Sequence, residues 1–273
     1  MPVDGARPAS LVERLATGAT ARPIERTTIV EAPVAIEING LAYAVMMATP
    51  ADLDDFALGF CLSEQLIEAP AQFESCEASE LERGWLLRIT LAGDCAAPLV
   101  ERARLRLTEG SCGLCGIESL DQVLRPQPHV HGSLEVTDAA LFLAAAALRE
   151  RQPLGRATGA AHAAAFCDAG GTILTVREDV GRHNAFDKLI GALARAGAPL
   201  SQGFVLLSAR CSFELVQKAV LAGVPLLATV SAPSTLALET ARAHGLRLVS
   251  LLRDDSFLDQ PVALNPPSRK AHP

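Results

Sequence analysis

The sequence predicts an α/β protein in two parts, a smaller N-terminal α+β domain and a C-terminal domain with a mostly parallel sheet. Three observations carry this. Residues 184–252 alternate between helix and strand: helix 184–196, strand 203–208, helix 213–222, strand 225–230, helix 234–244, strand 246–252. Short apolar strands alternating with helices imply a parallel sheet covered on both faces, hence three layers. Residues 34–46 read as a hairpin around Asn39-Gly40, a pair suited to the type I′ turn. Finally, 273 residues that are 49% hydrophobic can fill two modest cores; with only 4% aromatics, Ala, Leu, Val and Ile must fill them.

Taken in order, residues 1–25 scatter Pro, Gly and Ala and read as a flexible tail. Residues 26–125 form the small α+β domain. Within it, Thr49 reads as a helix N-cap with Pro50 at the first helical position, and Leu53, Phe56, Phe60 and Leu66 give that helix its apolar face. Strands are expected at 85–91 and 102–107. Residues 126–273 form the α/β domain. It opens on a helix over 138–149, capped by Thr137 or Asp138. Two strands, 160–166 and 172–176, flank Gly170-Gly171, and Gly223 and Gly245 stop later helices.

Composition narrows the function classes. The net charge is −7, from 31 acidic and 24 basic residues, which argues against nucleic acid as the main partner. No apolar run is long enough to span a membrane. No basic-then-apolar leader opens the chain, and seven cysteines without regular spacing suggest reduced thiols, so a cytoplasmic protein is expected.

Two motifs carry chemistry. Residues 175–191 crowd Arg177, Glu178, Asp179, Arg182, His183, Asn184, Asp187 and Lys188 onto a strand end, a glycine turn and a helix start. The plain reading is an ion-pair network at a domain joint. The sharper reading places Arg177, Arg182, His183, Asn184 and Lys188 around an anion or a nucleotide edge, where helix N–H groups converge. The second motif is Cys112-Gly-Leu-Cys115-Gly. It reads as incidental small residues, half a zinc site, a thioredoxin-type centre, or a nucleophilic, sulfur-carrying thiol on a loop loosened by glycine. No second cysteine pair exists, so no structural metal is expected.

His162 sits among small residues, as a buried structural histidine or beside a ligand. Ser208, Arg210 and Ser212 follow one strand and Ser231 the next. Arg253, Asp254, Asp255, Ser256 and Phe257 follow the last. Ligands of open α/β sheets bind at such strand ends. Phosphates would draw Arg182, Lys188 and Arg210; a guanine edge would draw Asp254 or Asp255.

These residues resemble the FdhD/NarQ family over most of the chain. The resemblance rests on Cys-Gly-Leu-Cys-Gly at 112–116, Arg-Glu-Asp-Val-Gly-Arg-His-Asn-Ala-Phe-Asp-Lys at 177–188, Ser-Phe-Glu-Leu-Val-Gln-Lys at 212–218 and Val-Ser-Ala-Pro-Ser at 230–234. Ala160 and Ala209 depart from it, standing where the family usually has Gly. The resemblance implies a cytidine deaminase-like C-terminal core and a cytoplasmic homodimer. It implies a sulfurtransferase that takes persulfide sulfur from a cysteine desulfurase. The acceptor would be the molybdenum (or tungsten) bis-pterin guanine dinucleotide cofactor, destined for formate dehydrogenase. Cys112 would carry the persulfide with Cys115 assisting, and the segment from Leu252 to Phe257 would touch the cofactor. Two alternatives stand beside it. One is a delivery chaperone that transfers no sulfur. The other is a zinc-dependent deaminase, which would need His-x-Glu and Pro-Cys-x-x-Cys; here Ala163 and Ala164 follow His162, and Ser111 precedes Cys112.

Overall fold

A computed structural model describes residues 3–14, 16, 21–93, 127–130, 132 and 134–260. The expected strand 102–107 and the pair Cys112 and Cys115 lie outside the described residues. The chain begins with β1 (Ala6–Glu13) and β2 (Arg22–Ile29), paired antiparallel, where the sequence suggests a flexible tail. The correction has a physical basis. A two-stranded ribbon has only edges, so Pro8 and Pro23 break no interior ladder. Mostly exposed faces leave little of the alternation that marks a half-buried strand.

The N-terminal sheet runs β4-β3-β6-β5, from β3 (Ala32–Ile38), β4 (Leu41–Ala48), β5 (Phe73–Leu81) and β6 (Gly84–Leu91). Asn39 and Gly40 have φ of 49° and 78°, the left-handed pair that a type I′ turn requires. The Asn39 side chain also clasps the end of β6, donating to the Leu91 carbonyl (3.1 Å) and accepting from its N–H (2.8 Å). One face of this sheet buries Val34, Ile36, Ile38, Leu87 and Ile89 against Phe56 and Phe60 of α1 (Leu53–Ser63).

The start of α1 differs from expectation. Its N-cap is Asp52, at φ 51°, and no side chain caps it. Thr49 is drawn inward instead, fully buried.

In the C-terminal part, α2 (Asp138–Leu148) is capped by Thr137, whose side chain accepts from Ala140 N (3.2 Å). After it come α3 (Pro153–Thr158), β7 (His162–Cys167), β8 (Ile173–Asp179) and α4 (Arg182–Arg195). The chain then continues through β9 (Phe204–Leu207), α5 (Phe213–Leu221), β10 (Leu226–Thr229), α6 (Thr235–Ala243), β11 (Arg247–Ser250) and β12 (Leu258–Gln260). The sheet order is β12-β11-β10-β9-β7-β8. Parallel pairing joins β9, β10 and β11; β7, β8 and β12 pair antiparallel. The sheet is therefore mixed, with the expected α/β alternation at its centre. The Gly170-Gly171 turn makes β7 and β8 a hairpin rather than a crossover. Alternate strand residues face two cores: α4, α5 and α6 cover one side, α2 the other. Among the described residues, no helix is long and apolar enough to cross a membrane.

Helix α1 also packs across α4, and glycines allow the close approach. A Cβ on Gly59 would fall on the Asp187 carbonyl, and one on Gly191 on the Asp55 carbonyl. The backbones meet where any side chain would hold them apart, so the two parts share one joint.

Candidate functional site

Residues 177–188 divide between two tasks. Most of the charge serves the joint. Asp179 is fully buried and its carboxylate accepts from Lys188 Nζ (2.6 Å), Gly181 N (2.7 Å), Thr49 N (3.0 Å) and Asn184 Nδ2 (3.0 Å). Lys188, also fully buried, donates further to the Thr49 carbonyl (2.9 Å) and the Glu178 carbonyl (3.4 Å). Thr49 Oγ1 accepts from Val180 N, and Asn184 Nδ2 reaches the Met47 carbonyl. The end of β4 is thus stapled to the β8–α4 turn.

Around this staple, Arg177 pairs with Asp55 at 2.7 Å, and Arg195 takes the other Asp55 oxygen at 2.9 Å. Glu178 accepts from Leu154 N and Gly155 N at the start of α3; burial pushes its carboxyl up in pKa against those two hydrogen bonds. Asp187 meets Lys218 of α5 at 2.5 and 2.7 Å; burial raises its pKa as well, opposed by that ammonium. Arg177, Asn184 and Lys188, expected around a ligand, are therefore turned to the joint. With its hydrogens engaged and no exposed surface, Lys188 has nothing left to offer a phosphate.

The second task falls to Arg182 and His183, the first two residues of α4. They stand at one end of the C-terminal sheet, where polar strand ends collect. His162 opens β7 opposite Asp179, Ser208 follows β9, Ser231 follows β10, and Leu252 and Arg253 follow β11. Antiparallel pairing of β7 with β9 brings the start of the one to the end of the other. Ser208 fixes this corner: its Oγ accepts from Ala163 N (2.8 Å) and its N–H donates to the Ala163 carbonyl (3.0 Å).

Cations gather there. Burial and the Arg182 charge hold the His162 imidazole below its ordinary pKa, with His183 and Arg210 acting in the same direction and Asp179 against them. Three buried atoms, Arg182 Nε, His183 Nε2 and Ser212 Oγ, have no hydrogen-bond partner within the described residues. They belong to the N-terminal ends of α4 and α5, where N–H groups and the helix dipoles favour an anion. A buried donor without a partner, as Arg182 Nε is, is uncommon.

The remaining candidates spread along the sheet end. The ends of β11 and β7 are three strands apart, about 14 Å at the usual strand spacing. Arg253, Asp254, Asp255 and Ser256 are exposed, and Ser256 Oγ donates to Asp255 (3.0 Å). The Leu252 side chain is buried in the core beneath the sheet end. Phe257 lies partly buried against Phe142, ring centroids 5.5 Å apart.

Glu214, not singled out in the sequence, belongs to the site. It is the second residue of α5, with Oε2 3.8 Å from His183 Nε2. The His183 imidazole, with help from Ser212 and the backbone N–H of Glu214, draws its carboxyl down to about 2 against the cost of burial. Its signal was a Ser-x-Glu at a helix start. Thr49 was visible too, but as a cap.

Three of the described thiols are poor nucleophiles. Burial pushes Cys76, Cys167 and Cys211 up to about 12, so none is a thiolate at neutral pH. Among the described residues, no group of three His, Cys, Asp or Glu side chains is placed to hold a metal ion.

The sequence model of the FdhD/NarQ family matches residues 29–258. The chain is 45% identical over 250 residues to the sulfur carrier protein FdhD of Xanthomonas euvesicatoria pv. vesicatoria, covering 91% of this chain and 89% of that one. A protein of the same name from Bordetella petrii is 46% identical over 224 residues, covering 82% and 81%. In three dimensions the chain is similar to a crystal structure from Desulfotalea psychrophila, described as a formate dehydrogenase accessory protein. The TM-score is 0.74 at 21% identity, covering 93% of this chain and 96% of that one. At that identity the likeness speaks to the fold alone.

Proposed function

The chain belongs to the FdhD/NarQ family, and on that footing we propose that it is a sulfur carrier serving a formate dehydrogenase. Its sulfur donor is a cysteine desulfurase, and its substrate is a molybdenum or tungsten bis-pterin guanine dinucleotide. One observation supports the substrate end: Arg182, His183, Arg210 and Ser212 converge with His162 at two helix starts, where Arg182 Nε is buried without a hydrogen-bond partner and His183 and Ser212 meet only Glu214. A diphosphate supplies the acceptors such a corner lacks. The row of polar strand ends toward Asp254 and Asp255 gives a long ligand room to lie across the sheet.

Cys112 takes the sulfur. Its thiolate attacks the outer sulfur of the desulfurase persulfide; the S–S bond there breaks, a Cys112 S–S bond forms, and the desulfurase thiolate leaves. Cys115 assists. The high pKa values of Cys76, Cys167 and Cys211 leave those thiols unsuited to this step.

The test is intact mass spectrometry after incubation with a cysteine desulfurase and cysteine. An adduct of about 32 Da, roughly one sulfur, should map to Cys112 and disappear with dithiothreitol. An adduct confined to Cys61, Cys76, Cys95, Cys167 or Cys211 would reject the assignment. Arg182→Ala should still load sulfur yet fail to activate formate dehydrogenase. A Cys112→Ser protein that still activates the enzyme would make the chain a delivery chaperone instead.

A further inference from the structure

The corner that holds Arg182, His183 and Arg210 already contains an anion. Glu214 lies at the start of α5, which is nine residues long, in the place where a helix N-terminus would receive a phosphate oxygen. It faces His183 Nε2 at 3.8 Å, an ion-pair distance too long for a hydrogen bond, and both side chains keep 31% of their surface. Asp179, the carboxylate that acts on His162, is neutralised by Lys188 and closed off from the site. Glu214 is thus the carboxylate that an incoming phosphate would meet. It is ionised throughout the working range of pH, since its carboxyl titrates at about 2.

We propose that Glu214 is a built-in counter-anion of the ligand site, competing with the ligand's phosphates for His183 and the α5 N-terminus. This rests on reading the corner as a phosphate site. Two anions within a few ångströms repel, and the ligand must share or displace the donors that Glu214 draws on. The consequence is a site that recognises a phosphate but does not hold it at full strength. That suits a carrier whose cargo must leave. An anion-binding corner built for retention would have an uncharged residue at this position and let the phosphate collect every donor.

The test uses the full chain and two probes, GDP and inorganic pyrophosphate, titrated calorimetrically at fixed ionic strength. Glu214→Gln keeps the shape and removes the charge; it should bind both probes about 5- to 20-fold more tightly, the range that removing one nearby like charge gives at a partly screened site. Glu214→Asp keeps the charge and should bind like the parent. Unchanged or weaker binding by Glu214→Gln overturns the proposal. So does equal tightening by Glu214→Asp, which would make bulk rather than charge the cause. Weaker GDP binding with unchanged pyrophosphate would make Glu214 a reader of the guanine edge, again overturning it. Failure of the underlying site looks different: the parent, Glu214→Gln and Arg182→Ala would then bind neither probe.

Discussion

Lys188→Met removes the ammonium at the centre of the joint and nearly preserves its volume, so a cavity contributes little to the loss. Lys188 is fully buried, and its Nζ serves Asp179 at 2.6 Å, the Thr49 carbonyl at 2.9 Å and the Glu178 carbonyl at 3.4 Å. Removing one member of a buried pair costs about 3–5 kcal/mol, because the other charge stays buried. Here Asp179 retains three donors, from Gly181, Thr49 and Asn184, which places the loss near the lower end, about 3 kcal/mol. For a chain of this size each kcal/mol lowers Tm by roughly 2–4 °C, so a fall of about 6–12 °C is expected. Asp179→Asn should cost at least as much, since it strands the ammonium with two carbonyls. The double variant should lose less than the sum of the single losses, by about 2 kcal/mol. Urea unfolding followed by circular dichroism measures all three, with Arg156→Ala as a yardstick: its ion pair with Glu150 is exposed on both sides and should be worth under about 1 kcal/mol. If Lys188→Met loses no more than Arg156→Ala, the staple does not hold the two parts together, and the argument from burial is wrong.

Two further outcomes follow. Gly191→Ala should lower stability by about 1–3 kcal/mol even though alanine favours a helix, because its Cβ meets the Asp55 carbonyl across the α1–α4 contact; a gain in Tm would refute the close crossing. The second concerns pH. Glu214 titrates near 2 in the folded chain against an ordinary 4.5, so its contribution to stability is complete above about 4.5 and is lost as pH falls toward 2. The stability difference between the parent and Glu214→Gln, read from urea midpoints, should therefore shrink as pH falls below about 4.5. A difference that grows on acidification would contradict the assigned environment.

Much of the fold was legible because it rests on local rules. Asn39-Gly40 announced its turn through φ preference, and Thr137 announced α2. The run from α4 to β11 was readable within a residue or two at most ends because each helix stops at a change of period or a glycine. What escaped the sequence was set by partners far along the chain. Thr49 looks like a cap until Val180 and Lys188 arrive, 131 and 139 residues later, and claim it. Strands β1, β2 and β5 expose most of their side chains, so no alternation betrays them. In residues 177–188 the ion-pair reading accounts for Arg177, Glu178, Asp179, Asn184, Asp187 and Lys188, and Arg182 and His183 stand apart from it. Side chains that face α1 and β4 build the joint, while Arg182 and His183, a turn of backbone away, face the sheet end. Sequence spacing could not divide them, because the division depends on where α1 packs.

Asn39 also has a meaning beyond its turn. Its carboxamide presents a donor and an acceptor to Leu91, as a neighbouring strand's backbone would. A side chain thereby extends the β3–β6 ladder by one residue beyond Ile38, at the point where the pairing would otherwise end. Leu91 is the last residue of β6, and the chain runs on from it to Cys112. The departure point of the stretch that leads to Cys112 is therefore fixed by a buckle that the hairpin lends it. Glycine in place of Asn39 would satisfy the turn and still undo the buckle, so the requirement here is for asparagine's chemistry and not merely for its tolerance of a left-handed bend.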